Sequence, residues 1–200
     1  MIFSLRAVHM EINLHYLIYL YMKTIGIDQS INSTGICVWD ENRNLYYNIV
    51  SKLTKKQKEF TDHPSFDLTI IEYEKYTEHE DYIKKEESKT KNIYNITKII
   101  EGLIRKHNPD ILLMEGVSYS SNGSVVDLAG LNYCIRMLAM KYNIKLIIVP
   151  PTTLKKSAIA NGQATKDMMI DAWRRLENIN ENRIKIDDIS DAYFLAHFPL

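Results

Sequence analysis

The amino-acid sequence predicts a mixed α/β fold, in which helices flank a five-stranded sheet of three antiparallel strands followed by two parallel strands. Two patterns support this prediction. Short runs of β-branched and aromatic residues, joined by tight turns, follow Lys23 and are typical of an antiparallel meander. Apolar runs then alternate with segments of helical period, an order that favours parallel strands joined to the same sheet.

Each element is predicted from its local pattern. The meander strands are TIGID, ICVWD and NLYYNIV, whereas the later strands ILLMEGV and IKLIIV are apolar on both faces, as buried parallel strands are. Isoleucines at helical spacing predict the first helix, which ends before Asn108-Pro109. The predicted elements are strands 24–28, 36–40 and 44–50, helix 93–110, strand 111–117, helix 124–142, strand 144–149 and helices 152–160, 165–176 and 188–197.

One domain is predicted, over residues 23–200, with two segments that stand apart from its core. Residues 1–22 are an N-terminal extension, unless translation begins at Met22; charged residues interrupt their apolar run, so we expect neither a membrane span nor a signal peptide. Residues of about 51–92 are rich in charge and are predicted to form a solvated insertion with its own helix.

Charge and cysteine content exclude several classes of protein. The chain has 25 basic and 25 acidic residues, which argues against coating nucleic acid through general basicity. Ten basic but only four acidic residues fall between Arg136 and Lys185, so a local basic surface is still expected. Two cysteines, Cys37 and Cys134, exclude a disulfide framework and a zinc knuckle, and they indicate a reducing, cytoplasmic setting.

The acidic residues give the strongest functional signal. Asp28 ends the first strand, and Glu115 lies at the end of a buried strand, the place where ligands bind in α/β sheets. Asp188 and Asp191 are three residues apart and share one face of the last helix, while Asp187 is expected to point elsewhere or to cap that helix. Each acid alone has an ordinary structural explanation, but four together favour Mg²⁺ or Mn²⁺, which prefer oxygen ligands.

Four motifs, in this order, resemble the RuvC family of Holliday-junction resolvases, within the ribonuclease H-like superfamily. The first includes Asp28 and ends in Thr-Gly, the second contains Glu115, the third carries lysines around an Asn-Gly turn, and the fourth is a terminal Asp-x-x-Asp-Ala. The resemblance covers residues of about 23–198, except 51–92. The motifs are IGIDQSINSTG (25–35), MEGV (114–117), LKKSAIANGQATKDMM (154–169) and DISDA (188–192).

The resemblance implies a ribonuclease H-like fold and a role for each matched residue. Lys166 is implied to neutralise the scissile phosphate, and Lys155 and Lys156 to position DNA phosphates. The loop after the second acid is expected to contact DNA through Tyr119, Ser120 and Asn122. Together with Lys166, four acids are implied to be catalytic. The same four are implied to hold two Mg²⁺ or Mn²⁺ ions in each active site: Asp28, Glu115, Asp188 and Asp191.

The implied activity is that of a metal-dependent, structure-selective DNA endonuclease that cuts four-way junctions or other branched DNA. Because a four-way junction is two-fold symmetric, a homodimer is expected. Helix 124–142 either supplies the dimer interface or covers the sheet, through Val125, Leu128, Leu131, Ile135 and Leu138. We expect no membrane contact, no small-molecule cofactor, and a cytoplasmic location, which is the host cytoplasm if a phage encodes the chain.

Two departures from the family pattern stand out, and other functions stay open. The usual Asp-Pro-Gly is Asp28-Gln29-Ser30 here, a form that looks viral or phage-like, and Tyr119 is the nearest match to the family's base-wedging aromatic residue. The alternatives are a ribonuclease H-like nuclease acting on RNA–DNA hybrids or flaps, a non-catalytic junction-binding protein, and an actin-like or sugar-kinase nucleotide binder. The last requires glycine-rich nucleotide loops, for which seven glycines are few.

Overall fold

A computed structural model describes residues 22–40, 43–53, 67–77, 81–117, 125–179 and 187–199. These residues form one mixed sheet flanked by helices, which confirms the predicted fold class. The strands are β1 (Thr24–Asp28), β2 (Ser33–Asp40), β3 (Arg43–Val50), β4 (Asp67–Glu72), β5 (Ile111–Glu115) and β6 (Lys145–Val149). The helices are α1 (Tyr82–His107), α2 (Val125–Lys141), α3 (Pro151–Ile159), α4 (Lys166–Leu176) and α5 (Asp187–Ala196).

The sheet has six strands in the order β4-β3-β2-β1-β5-β6. The β1–β2 and β2–β3 pairs are antiparallel, as the predicted meander requires, and the β1–β5 and β5–β6 pairs are parallel. The predicted count of five strands is wrong because β4 adds a parallel strand beside β3. Its sequence DLTIIE lies among charged residues, and as an edge strand it is only partly buried, so its apolar residues give a weak signal.

The predicted charged segment of about 51–92 therefore contributes to the fold. Besides β4, it contains the first turns of α1, which begins at Tyr82 rather than at residue 93. The Asp81 side chain caps this helix by accepting a hydrogen bond from the Lys84 backbone N–H at 2.9 Å. The helix ends at His107, before Asn108-Pro109 as predicted, and Asn108 has a left-handed backbone conformation.

Strand alternation divides the buried side chains into two cores, one on each face of the sheet. In β5, Leu112 and Met114 point to the core that also contains apolar residues of α1 and α2. Ile111 and Leu113 point to the opposite core, which α4 and α5 cover. The molecule thus has three layers, and β6 is half-exposed because it forms the other edge of the sheet.

No helix within the described part of the chain is long and apolar enough to cross a membrane. The predicted N-terminal extension lies outside the described residues except for Met22. The predicted apolar stripe of α2 covers the sheet, since Leu131, Ile135 and Leu138 are buried in the core shared with α1.

Candidate active site

The first two site carboxylates are placed by strand alternation. In β1, Ile25 and Ile27 face the α1–α2 core, so Asp28 faces α5. The same alternation in β5 turns Glu115 to the α5 face, one residue beyond Met114. Because β1 and β5 are parallel neighbours, their carboxyl ends bring both acids to the same edge of the sheet.

Two glycines, one in β1 and one in β2, allow α5 to lie directly on these two strands. A Cβ atom at Gly26 would be 2.2 Å from the Ala192 carbonyl oxygen, and one at Gly35 would be 2.0 Å from the Asp188 carbonyl oxygen. Gly35 is also the partner of Asp28 in the β1–β2 ladder. The start of α5 is therefore held against the strand end that carries Asp28, because no side chain separates the two backbones.

The start of α5 supplies the other two carboxylates. Asp188 and Asp191 are three residues apart in this helix, and both are partly buried. The Ser33 hydroxyl, at the beginning of β2, donates a hydrogen bond to the Asp188 carboxylate. Asn48 of β3 in turn donates to the Ser33 hydroxyl oxygen at 3.3 Å, so polar groups of two strands support this helix end.

The electrostatics show that the four carboxylates share one environment. Burial, followed by the charges of Asp188 and Asp191, raises the pKa of Asp28 well above its ordinary value. Burial and then Asp191 raise the pKa of Glu115 to about 7. Burial is also the largest cause for Asp188 and Asp191, whose pKa values rise to about 6. Four acids that are difficult to ionise together form a site at which a cation would be favourable.

Basic residues border this cluster. Lys166, the first residue of α4, donates a hydrogen bond to the carboxylate of Asp187, and its charge lowers the pKa values of Asp188 and Asp191. Asp187, which was predicted to point elsewhere or to cap the helix, pairs with this lysine. Lys155 of α3 lies close enough to lower the pKa of Glu115.

Of the remaining residues predicted to contact DNA, one is described by the structure and three are not. Lys156 is exposed on α3, next to Lys155. Tyr119, Ser120 and Asn122 lie outside the described residues.

The sequence did not reveal three polar residues that surround the acids: Ser33, Gln29 and Asn132. The side-chain amides of Gln29 and Asn132 both donate to the backbone carbonyl of Glu115, at 3.2 and 3.1 Å. Asn132 comes from α2, on the opposite face of the sheet from α5. No local pattern marks such a residue, because its partner is 17 positions away in the chain.

The donor set suits a hard divalent cation. All four predicted ligands are carboxylates, and Mg²⁺ and Mn²⁺ prefer oxygen donors. Among the described residues, no three His, Cys, Asp or Glu side chains already converge closely enough to hold an ion. The match with a cation is therefore one of chemistry and charge: four partly buried, mutually repelling carboxylates are stabilised by positive charge.

Comparisons with known proteins relate this chain to one family. A family model described as crossover junction endodeoxyribonuclease RuvC matches residues 76–197. A protein of that name from Chloroherpeton thalassium is 30% identical over 98 residues, which are 48% of this chain and 52% of the relative. Another, from Caldanaerobacter subterraneus, is 28% identical over 105 residues, which are 52% of this chain and 63% of the relative.

Solved structures show the same fold. Thermus thermophilus RuvC has a TM-score of 0.55 and 14% identity, with 88% of this chain and 91% of that chain covered. The T. thermophilus RuvC complex with a Holliday junction substrate has a TM-score of 0.56 and 15% identity, covering 88% and 90%. The matched stretches span only about half to two thirds of the curated relatives, but the family model covers more than half of this chain. The chain belongs to the crossover junction endodeoxyribonuclease RuvC family.

Proposed function

We propose that this chain is a metal-dependent, structure-selective endonuclease that cuts four-way DNA junctions by phosphodiester hydrolysis. The observation that carries the proposal is the gathering of Asp28, Glu115, Asp188 and Asp191 at one sheet edge, in an environment that raises all four pKa values. Relatives named crossover junction endodeoxyribonuclease, and a neighbour in complex with a Holliday junction substrate, support this substrate class.

The four carboxylates would hold two Mg²⁺ or Mn²⁺ ions. Such ions supply an activated water and stabilise the leaving oxygen when bound. The chain contributes the ligands and their placement: Asp28 and Glu115 from strand ends, and Asp188 and Asp191 from one helix face. Their raised pKa values mean that ions compete with protons, so binding releases protons and strengthens with pH.

Lysines beside the carboxylates would receive the DNA backbone. Lys166 lies next to the acids through its pair with Asp187, so it is placed to offset charge on the scissile phosphate. Lys155 and the exposed Lys156 extend this positive charge along α3, where they would position flanking phosphates. Tyr119, Ser120 and Asn122, which follow β5 in the sequence, stay proposed as further DNA contacts.

A second copy of the chain would bind to the outer face of α2. Val126, Tyr133, Met137 and Met140 are exposed there by 81%, 57%, 69% and 63%, an unusually apolar surface for a solvated helix. Pairing two copies through this face would bury these side chains and present two active sites to a two-fold symmetric junction. The interface would thus use the side of α2 opposite to the predicted stripe.

Cleavage by the Asp28→Asn variant tests the proposed activity. We expect the rate of junction cleavage to fall by more than about 100-fold, while junction binding is retained. This loss is larger than the one usually caused by replacing a residue that only supports a metal ligand. Asp67→Asn is the matched control, because Asp67 pairs with Arg43 on an exposed strand far from the acids, and it should cut normally. Labelled junctions, flaps and RNA–DNA hybrids are compared under the same conditions. Preferential cutting of hybrids or flaps would contradict the proposed substrate.

Sedimentation velocity tests the proposed dimer. The wild-type chain should sediment as a dimer, and Met137→Lys should sediment as a monomer, since a buried lysine charge opposes association. Leu176→Lys is the control, because Leu176 is 57% exposed on α4, across the sheet from α2. A Met137→Lys variant that stays dimeric would rule out this face.

A further inference from the structure

Two side-chain amides converge on one backbone atom behind the proposed catalytic acids. The Gln29 amide nitrogen lies 3.2 Å from the Glu115 carbonyl oxygen, and the Asn132 amide nitrogen lies 3.1 Å from the same atom. Gln29 directly follows Asp28 at the end of β1, and Asn132 lies in α2. Parts of the chain more than 100 residues apart thus meet at the main chain of one acid.

The strand ladder explains why this carbonyl is free to accept them. The register between β1 and β5 ends at the pair Ile27 and Met114, one residue before the two acids. On the other side, Gly116 still donates its N–H to the Val149 carbonyl at 3.1 Å. The peptide that follows Glu115 is therefore held by backbone bonds toward β6, and by side-chain amides in the direction of β1 and α2.

Both amides are buried, and each leaves one polar atom unpaired within the described residues. Gln29 is 7% exposed and Asn132 is fully buried. Their remaining oxygens, Gln29 Oε1 and Asn132 Oδ1, have no hydrogen-bond partner within the described residues. Burial of a polar group is favourable only when that group is hydrogen-bonded, so the bonds that each amide nitrogen donates to the Glu115 carbonyl are the contacts that hold these side chains in place.

We propose that Gln29 and Asn132 form an amide clamp that positions the Glu115 carboxylate for divalent cations. The direction of the Glu115 side chain depends on the backbone conformation of Glu115. The clamp holds that backbone at the point where the ladder between β1 and β5 ends. This inference rests on the proposed metal-dependent function. Gln29 belongs to the turn that directly follows Asp28, so one half of the clamp comes from the segment that carries another of the proposed ligands.

Binding of Mn²⁺ to isosteric apolar variants tests the clamp. Mn²⁺ affinity is measured without DNA, by calorimetry and by the electron paramagnetic resonance signal of the free ion. Gln29→Met and Asn132→Leu should each weaken binding about tenfold, as loss of a group that orients a metal ligand does. The melting temperatures of the cation-free variants should change little, because each replacement removes an unpaired buried oxygen together with one of the two bonds to the Glu115 carbonyl, and the other amide still donates to it.

Two comparisons separate positioning from a general packing effect. In the Glu115→Gln background, Gln29→Met should cause no further loss of Mn²⁺ affinity, since the clamp acts through that carboxylate. Asn92→Leu is the matched control: the Asn92 amide is buried on α1, and both of its ends bond to the Tyr76 backbone, at 2.8 and 3.1 Å. It should lower the melting temperature and leave Mn²⁺ affinity unchanged.

The outcomes distinguish the two proposals. Normal Mn²⁺ binding by the wild type with unchanged binding by both clamp variants would overturn the clamp alone. A further loss in the Glu115→Gln background would overturn it as well. Absence of Mn²⁺ binding by the wild type would overturn both the metal-dependent function and the clamp.

Discussion

Ser33 and Asp188 join the first residue of β2 to the second residue of α5 through a hydroxyl–carboxylate hydrogen bond. Bonds to an ionised acceptor are stronger than neutral ones, and this bond lowers the pKa of Asp188 against the rise that burial causes. The hairpin that follows Asp28 thereby helps to keep an acid on the facing helix ionised.

Replacing Ser33 with alanine is expected to make Asp188 harder to ionise. With the hydrogen bond removed, the pKa of Asp188 should rise above its present value of about 6. Junction cleavage in Mg²⁺ should therefore fall more at pH 6 than at pH 8, and the rising limb of the pH–rate profile should move to higher pH. Ser33→Thr keeps the hydroxyl and is the control. An equal loss at both pH values would contradict this explanation.

The cation-free protein is expected to lose stability as the site acids ionise. The pKa of Glu115 is about 7 in the folded chain against an ordinary value of 4.5. Between these values the folded state binds more protons than the unfolded state, so this contribution to stability is complete below about pH 4.5 and is lost as pH rises through 7. The Glu115→Gln variant lacks this contribution, so its melting temperature relative to the wild type should rise between pH 5 and pH 8.

Comparison with that variant also removes the effect of buried histidines. Burial lowers the pKa of His197 to about 4 and also lowers that of His107, so both oppose the acids in this range. They are present in both proteins and cancel in the difference. In a chain of this length, each 1 kcal/mol corresponds to roughly 2–4 °C, and saturating Mg²⁺ should abolish most of the pH-dependent difference. A difference that does not change with pH would contradict the raised pKa.

Gly35→Ala is expected to be strongly destabilising. Its Cβ would lie 2.0 Å from the Asp188 carbonyl oxygen, a backbone atom that no rotamer change can move away. Overpacking against backbone should cost about 3 kcal/mol or more, measured by urea unfolding. Gly102→Ala is the control, because nothing lies within 4 Å of that Cβ in exposed helix α1. It should stabilise the protein by about 0.5–1 kcal/mol.

Lys166 and Lys156 are expected to affect different steps. Lys166→Gln removes the ion pair with Asp187. Because the Lys166 side chain is 75% exposed, the free energy of unfolding should change by less than about 1 kcal/mol. The maximal cleavage rate should fall, because the charge that lowers the pKa values of Asp188 and Asp191 is lost. Lys156→Gln should instead weaken junction binding and reduce its salt slope by about 0.9, with the maximal rate unchanged. Equal effects on rate and binding from both variants would contradict these roles.

Much of the architecture follows from local sequence patterns. The apolar runs that predict β1 and β5 are strong because both strands are buried, and their terminal acids stand out within them. The spacing of Asp188 and Asp191 predicts a common helix face from helical geometry alone. If β1 and β5 are assumed to pair in parallel, Asp28 and Glu115 must lie side by side at the carboxyl ends of these strands.

Other features depend on tertiary neighbours and leave little trace in the sequence. β4 is an edge strand whose exposed positions alternate with half-buried ones, so its charged flanks dominate the local pattern. The early turns of α1 are largely exposed and charged, which obscured the start of this helix. Gln29 and Asn132 look like ordinary polar residues, because their role depends on one carbonyl oxygen that only the folded chain brings to them.

The contact of α5 with Gly26 and Gly35 has a consequence for which substitutions this chain can accept. Backbone meets backbone there, so the placement of the acids depends on two missing side chains rather than on the shape of many present ones. Aliphatic side chains elsewhere in the core can be exchanged for others of similar volume without changing this contact between α5 and the two strands. The position of the start of α5 relative to Asp28 therefore tolerates changes of aliphatic side chains elsewhere in the core, but not a side chain at either glycine.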